Sequence, residues 1–371
     1  MISPNAKKRF IVVDVIPPSV YKEEAEKNLN ELLSLVDTYG GATIVRVIQR
    51  RSNPDSHTYI GSGKADEVTG LIKSEKIDVV VLNDIVKQGQ LFNLTKMFWE
   101  VNPHIEVWDR VDLILHIFDK HAHTAEAKLQ IKLARMRHMG PRIYGLGGSV
   151  LSRQGGGIGT RGIGETNTEL MKRHWRDATK QIEEELKHLT DNRTRQLQRR
   201  REIGLKTISI VGYTNAGKST LFNLITRKKK KAEDALFATL DSTVGKLWLP
   251  QQQKEVLVSD TIGFIQNLPA RLVEAFRSTL MEAMDAAVLM HVVDASDPEM
   301  NTKISVVQQV LEELGIHEKP TIYVFNKIDR LNRPQMLELL QRYKELDPQL
   351  LSAVEDIGMP ELTEKIEATL T

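Results

Sequence analysis

The chain has 371 residues, with 51 Lys+Arg against 49 Asp+Glu, a formal net charge of +2 and 41% apolar residues. That length suits two or three domains and that apolar content suits ordinary buried cores, so disorder over most of the chain is excluded. There is no apolar run near the roughly 18 residues that a bilayer-spanning helix takes, and no charged-apolar-small leader pattern, so neither a membrane anchor nor secretion is indicated and the expected compartment is cytoplasmic. Zero cysteines remove disulfides, thiolate zinc sites and thiol nucleophiles together.

Residues 9–118 alternate short β-branched runs with amphipathic stretches: RFIVVDVI, a helix through Leu29, Leu32, Leu33 and Val36, ATIVRVI, a helix near 64–75, IDVVVLND, a helix near 88–101, then IEVWD. Strands separated by helices of this length form crossover units, which predicts an N-terminal α/β domain (1–118) with a parallel or mostly parallel sheet. Gly61-Ser62-Gly63-Lys64 imitates a phosphate loop. It lacks the first glycine at the right distance and has Ala65 where a hydroxyl belongs, so it reads as a loop-to-helix turn.

From about 122 to 139 the apolar positions Leu129, Leu133 and Met136 recur at helical spacing, and Met171, Trp175, Ala178, Ile182, Leu186 and Leu189 do the same in a segment ending near Arg201. Steps of three and four predict two helical stripes, which suit an antiparallel hairpin over 119–204 better than two stripes each packed on a globular core. Their connection, about 140–164, mixes glycine with Arg142, Arg153, Arg161, Tyr144 and aliphatic residues, which suits a binding loop better than an inert linker. His116, His121 and His123 have no matching acidic ligand set, so no metal is assigned to them.

Residues 205–371 predict a second α/β unit with a doubly wound sheet, from TISIVGYTNAGKST, TVGKLWL, EVLVSD, AVLMHVVD, TIYVFNKID and a final helix near 360–370. Gly212-Tyr213-Thr214-Asn215-Ala216-Gly217-Lys218-Ser219, followed by Thr220, satisfies G-x-x-x-x-G-K-[ST] between a buried-strand run and a helical run, the context that motif needs. Its backbone N–H groups would curl around a β-phosphate, Lys218 would reach the β and γ oxygens, and the Ser219 hydroxyl would ligate Mg²⁺. Asp260-Thr261-Ile262-Gly263 follows a strand, with Asp260 placed to hold Mg²⁺ through water and the Gly263 N–H to sense a γ-phosphate. Asn326-Lys327-Ile328-Asp329 adds a carboxylate that can accept from both N1–H and the N2 amino group of guanine, a donor pair adenine lacks. The expected ligands are GTP and GDP with Mg²⁺, and the expected enzyme is a GTPase.

With these motifs in order, the sequence resembles the HflX family of ribosome-associated GTPases, within the translation-factor-related group. The marks are GYTNAGKSTLFN, Phe237-Ala238-Thr239-Leu240-Asp241, the run DTIGFI-NLP, and GGGIGTRGIGETNTE before the nucleotide domain. The resemblance spans nearly the whole chain. It implies a monomeric protein whose partner is the ribosome, mainly the large subunit and its RNA, with the hairpin loop reaching toward the peptidyl-transferase region. It also implies that Thr239 is a switch-one Mg²⁺ ligand and that Ser352-Ala353-Val354 contacts guanine from its other side. Lys218, Thr239 and Gly263 are then the catalytic set, with Ser219 and Thr239 direct metal ligands. Many relatives continue into a further C-terminal domain, whereas the present sequence stops just after a helix ending near Leu370. The occasion of action (splitting, rescue or assembly of ribosomes) is not encoded in any motif.

Many GTPases carry a water-orienting glutamine directly after the D-x-x-G glycine; here that position is Phe264. A phenyl ring cannot orient water by hydrogen bonding, so hydrolysis by the isolated protein is expected to be slow and a partner to complete the site. Gln266, two residues on, could swing in, but reads better as an ordinary switch-two surface residue. Two other readings share these features: a GTPase that remodels or modifies free structured RNA, and a nucleotide-gated protein-interaction scaffold. Charge distribution favours an RNA partner. Residues 127–164 hold seven Lys+Arg and no acid, residues 187–231 thirteen against two, and residues 232–371 twelve against twenty-three. Near-neutrality is the sum of a basic arm and an acidic nucleotide domain, the asymmetry a nucleic-acid-facing arm produces. Lys228 to Lys231 stand in this basic region as either a solvated loop or an RNA contact.

Overall fold

A computed structural model of the chain describes residues 7–154, 167–228, 237, 243–266, 272, 276 and 280–370. It divides into two compact units, one formed by Met1–Lys120 with Ile131–Glu185 and the other by His121–Gln130 with Leu186–Thr371.

In the first unit, strands β1 (Arg9–Ile16), β2 (Ala42–Arg50), β3 (Val79–Leu82) and β4 (Glu106–Trp108) form an all-parallel sheet in the order β2-β1-β3-β4. Helices α1 (Lys22–Tyr39), α2 (Ser62–Ser74), α3 (Gln88–Trp99) and α4 (Arg110–His121) connect or follow them. Phe10, Ile11, Val12 and Val13 are fully buried, because a strand covered on both faces reads as a continuous apolar run. Ile11, Val13, Val80 and Leu82 pack with Ala65, Val68 and Ile72 of α2 and Leu91, Leu94 and Phe98 of α3. Gly61 caps α2 with an extended backbone and Ala65 is buried, as expected of a loop-to-helix turn.

Helix α4 is an element the periodicity left unmarked. Its start is a reciprocal cap: the Asp112 N–H donates to Asp109 Oδ1 at 2.9 Å and the Asp109 N–H to Asp112 Oδ2 at 3.3 Å. His138 Nε2 lies 3.0 Å from Asp109 Oδ2, so this acidic pair is a capped helix end tied to a neighbouring helix. His116 stacks on Trp108 with ring centroids 4.1 Å apart, and burial first, then Arg135, push its pKa down to about 4. It is a half-buried ring packed on an aromatic neighbour.

Helix α5 covers Ala125–Gln154 and α6 covers Asn167–Glu202. The expected connection of about 140–164 is therefore helical as far as Gln154, and residues 155–166 lie outside the described residues. Gly140 allows the crossing, since a Cβ there would stand 3.1 Å from Trp175 Nε1. Within the first unit Trp175 Nε1 donates to the Met136 carbonyl at 3.2 Å and Arg137 pairs with Glu183 at 2.9 Å. Within the second unit Arg193 pairs with Glu126 at 3.4 Å, so the helices run antiparallel, as the stripes predict. The seam is narrower than those stripes. Leu133, Met136 and Ile182 are buried, but Met171 and Ala178 are exposed, because α6 keeps solvent on most of its circumference.

The second unit carries β5 (Thr207–Gly212), β6 (Thr243–Leu249), β7 (Lys254–Asp260), β8 (Val288–Asp294), β9 (Thr321–Asn326) and β10 (Gln349–Leu350), in the order β10-β9-β8-β5-β7-β6. Only β6 is antiparallel, and as an edge strand it alternates buried Leu247 and Leu249 with exposed Lys246 and Trp248. Helices α7 (Lys218–Thr226), α8 (Met281–Asp285), α9 (Met300–Glu313), α10 (Arg333–Arg342) and α11 (Met359–Leu370) complete it. Ile208, Ile210, Val258, Met290 and Val292 pack against Leu221, Phe222 and Ile225 of α7 and Leu362, Ile366 and Leu370 of α11. Doubly wound packing of this kind fixes β5 at the sheet centre and delivers its carboxyl end to the next segment. Among the described residues no helix is long and apolar enough to cross a membrane.

Candidate nucleotide site

The loop after β5 owes its path to two glycines. Gly212 has φ +149° and a Cβ there would lie 2.3 Å from the Val292 carbonyl oxygen; Gly217 has φ +92° and a Cβ would lie 2.1 Å from Asn326 Nδ2. No side chain is admitted at either point, and α7 starts directly after Gly217. Asn215 adopts φ +62° without being glycine, within the range this residue type tolerates.

Lys218 is buried and its Nζ donates to the Tyr213 carbonyl at 2.6 Å. Burial pushes its pKa down to about 8, opposed by the Asp260 carboxylate and reinforced by Lys327. Ser219 Oγ donates to Asp260 Oδ2 at 2.8 Å, so the hydroxyl and the carboxylate expected to hold Mg²⁺ are adjacent. Both are hard oxygen donors at the carboxyl end of the sheet, a donor set that fits Mg²⁺. Thr261 Oγ1 donates to the Ile210 carbonyl at 2.7 Å and Ile262 is buried, which holds this turn against β5. A Cβ on Gly263 would stand 2.8 Å from Lys218 Nζ, so this backbone passes directly beside the lysine.

Beyond Gly263 the chain joins the phosphate loop. The Phe264 N–H donates to the Gly212 carbonyl at 3.1 Å, the Thr214 N–H donates to the Phe264 carbonyl at 2.8 Å, and the Gln266 N–H donates to Tyr213 Oη at 2.8 Å. Phe264 is fully buried. Gln266 is thus tied by its backbone to the phosphate loop, a relation its spacing did not reveal.

The base-side motif is arranged in the same manner. Asn326 Nδ2 donates to the Ala216 carbonyl at 2.9 Å and its Oδ1 accepts the Ala353 N–H at 3.0 Å, joining the phosphate loop to the 352–354 turn. Lys327 Nζ donates to the Asn215 carbonyl and pairs with Asp294 Oδ2, each at 2.7 Å. Asp329 Oδ1 accepts the Ser352 hydroxyl at 2.5 Å, and the Ile328 N–H donates to the Leu351 carbonyl at 3.3 Å. Val354 is 74% exposed, so this turn presents Ser352 and Ala353 inward and Val354 to solvent. Asp294, the last residue of β8, is a member that the motif spacing passed over; the signal was an acid ending a buried strand run. Thr220 follows Ser219 in α7. Phe237 is buried at φ +60°, and Ala238, Thr239, Leu240 and Asp241 lie outside the described residues.

A doubly wound sheet, a glycine-shaped loop at its central strand and the two flanking motifs define a P-loop GTPase fold. Family models agree along the chain. One described as GTP-binding GTPase N-terminal matches residues 26–119, one described as GTP-binding GTPase Middle Region matches 121–200, and one described as 50S ribosome-binding GTPase matches 207–327. The chain is 44% identical to the GTPase HflX of Caldanaerobacter subterraneus subsp. tengcongensis, over 98% of this chain and 81% of that one. It is 39% identical to the GTPase HflX of Escherichia coli, over 93% and 79% respectively. The crystal structure of SsGBP in complex with GDP shares the fold over 97% of this chain and 98% of that chain, with a TM-score of 0.53 at 23% identity. The chain belongs to the HflX family of GTPases.

Proposed function

We propose that this GTPase binds GTP and GDP with Mg²⁺, hydrolyses GTP slowly alone, and is accelerated when its basic helical arm engages the large ribosomal subunit. The observation that carries the reading is the placement of Phe264. Its ring is in the core and its backbone is hydrogen-bonded to the phosphate loop, so the position that many GTPases use to orient water offers no polar group here.

In this reading Gly212 to Thr220 cradle the phosphates, with backbone N–H groups at the start of α7 facing negative charge. Lys218 leaves the Tyr213 carbonyl for the β and γ oxygens and stabilises charge on the transferring group. Ser219 and Thr239 would ligate Mg²⁺ and Asp260 would hold it through water; the ion supplies charge neutralisation between the phosphates. The Gly263 N–H, beside Lys218, would report the γ-phosphate. Asp329 accepts the guanine N1–H and N2 donors, with Ser352 and Ala353 closing the other side of the base. Phe237, Ala238, Leu240 and Asp241 flank Thr239 in the switch.

The arm supports an RNA partner. Along α6, Lys172, Arg173, Arg176, Lys180, Lys187, Arg195 and Arg199 are exposed, a line of cations for a phosphate backbone. The family model described as 50S ribosome-binding GTPase, which matches residues 207–327, supports the same partner from the nucleotide domain. A hairpin arm of 119–204 between an N-terminal domain and a nucleotide domain of 205–371 is the domain plan that goes with this function, and the working unit is a monomer in the cytoplasm. The test is GTP turnover with and without isolated large subunits, together with cosedimentation under GDP and a non-hydrolysable GTP analogue. Acceleration of turnover and nucleotide-dependent pelleting are expected; equal rates with and without subunits would sink the proposal.

A further inference from the structure

The turn that carries Gly263 is a bulge between two paired stretches. Strands β5 and β7 pair in parallel with Ile210 opposite Asp260, and pairing resumes with Tyr213 opposite Phe264. Between those two points the phosphate-loop side advances by three residues and the D-x-x-G side by four, so one extra residue is pushed out of register. That extra length brings Gly263 to the lysine, since a Cβ on Gly263 would stand 2.8 Å from Lys218 Nζ.

The bulge is held at both ends. On the near side Thr261 Oγ1 donates to the Ile210 carbonyl at 2.7 Å. On the far side the Phe264 N–H donates to the Gly212 carbonyl at 3.1 Å and the Thr214 N–H to the Phe264 carbonyl at 2.8 Å, two successive bonds of a parallel ladder. The next bond of an unbroken ladder would join the Gln266 N–H to the Thr214 carbonyl. Here the phosphate loop turns away, with Asn215 at φ +62°, and the Gln266 N–H donates to Tyr213 Oη at 2.8 Å. A side chain supplies the acceptor that the backbone withdraws.

The tyrosine ring has a fixed place. It is buried, and Lys303 Nζ, itself paired with Asp297, lies 5.2 Å from the ring centroid. The carbonyl of the same residue accepts Lys218 Nζ at 2.6 Å. One residue therefore holds the phosphate-loop lysine through its backbone and the segment after Gly263 through its side chain.

On the reading of this site as a GTPase centre, we propose that Tyr213 is a positioning residue for hydrolysis. Its hydroxyl clamps the chain after Gly263, so that the Gly263 N–H and Lys218 meet the γ-phosphate together. When Lys218 leaves the Tyr213 carbonyl for a nucleotide, the bond to Tyr213 Oη and the two bonds of Phe264 keep the bulge in register. Phenylalanine at this position would retain the ring and the backbone carbonyl and lose only the acceptor for Gln266.

The experiment compares the full wild-type chain with Y213F by amide hydrogen exchange at Gln266, by GDP titration and by single-turnover GTP hydrolysis. Y213F should exchange the Gln266 N–H about fivefold faster and hydrolyse bound GTP about fivefold more slowly, the order expected for one lost hydrogen bond, while GDP affinity stays within about threefold. Q266P removes the donor of the same bond and should slow hydrolysis by a similar factor, and the double variant should be no slower than the slower single one. Wild-type exchange or wild-type hydrolysis in Y213F would overturn the proposal, as would additive slowing in the double variant. A fall in GDP affinity in step with hydrolysis would overturn it too, because Tyr213 would then shape the phosphate loop and not the segment after Gly263. A wild type that hydrolyses no GTP would bring down the GTPase reading as well, whereas an active wild type matched by Y213F brings down this proposal alone.

Discussion

The Phe264 carbonyl accepts the Thr214 N–H at 2.8 Å, so the strand that leaves D-x-x-G is paired with the phosphate loop instead of hanging free above it. The phenyl ring at this point belongs to the core. Truncating it in F264A should cost about 3–5 kcal/mol of stability, as for other buried aromatic residues. F264Q should also lose stability, and neither should raise single-turnover GTP hydrolysis. Urea unfolding and rapid-quench assays would check both parts; a faster F264Q enzyme would refute the assignment of this position as structural.

Asp329, the residue proposed to read the base, is held by the Ser352 hydroxyl. An Asn there presents an amide in place of a second acceptor, so D329N should lose roughly 100-fold or more in GDP affinity. It should gain affinity for xanthosine diphosphate, which carries a carbonyl where guanine has its amino group. Fluorescence titration with both nucleotides measures the exchange. Ribosome pelleting by the arm should survive it.

Lys218 has its pKa pushed down to about 8 by burial, so in the nucleotide-free protein its protonated form is penalised. The unfolded chain binds more protons between about pH 8 and the ordinary value of 10.5, and stability from this group rises with pH across that window. A bound polyphosphate reverses the shift. Binding of GDP at pH 8.5 should therefore take up a large fraction of a proton and at pH 7 very little, as measured by calorimetry in buffers of different ionisation enthalpy. Equal proton uptake at the two pH values would contradict the burial account.

His291, on β8, is buried at 1% exposure with Nδ1 unpartnered, and burial first, then Lys218, push its pKa down to about 3. It is neutral in the folded protein. Its contribution is complete above about pH 6.5 and is lost as pH falls toward 3, because the unfolded chain gains the proton first. H291F should flatten the fall in melting temperature between pH 6.5 and 4. Parallel wild-type and H291F curves would show that the acid limb has another origin.

Arg153 and Arg161 belong to the glycine-rich segment, whose side chains lie outside the described residues. Replacing both with Ala should weaken ribosome association and reduce its salt slope by about 1 for each phosphate that is no longer neutralised. GDP affinity should not change. A salt titration of pelleting, read beside nucleotide titration, separates the two effects.

The sequence by itself determined the strands and the chemistry that local spacing encodes. A phosphate loop is eight consecutive residues on a strand–turn–helix, and β5 and α7 could be read there because both neighbours carry their own periodicity. The same holds for β1 to β3, whose continuous β-branched runs announce burial on two faces. Helix α4 was hidden because its cap is a reciprocal pair of aspartates that reads like a charged loop, and α5 runs on to Gln154 through glycines that looked like connection. Tertiary structure alone decided which distant groups meet. Asp294 reaches Lys327, Tyr213 Oη takes the Gln266 N–H, Asn326 joins the phosphate loop to the Ser352 turn, and Asn83 donates to Asp14 across two strands adjacent only in the sheet. Hydrogen bonds and charges act over a few ångströms of space, whereas sequence patterns record separation along the chain, so strand order had to be known before these pairs could be.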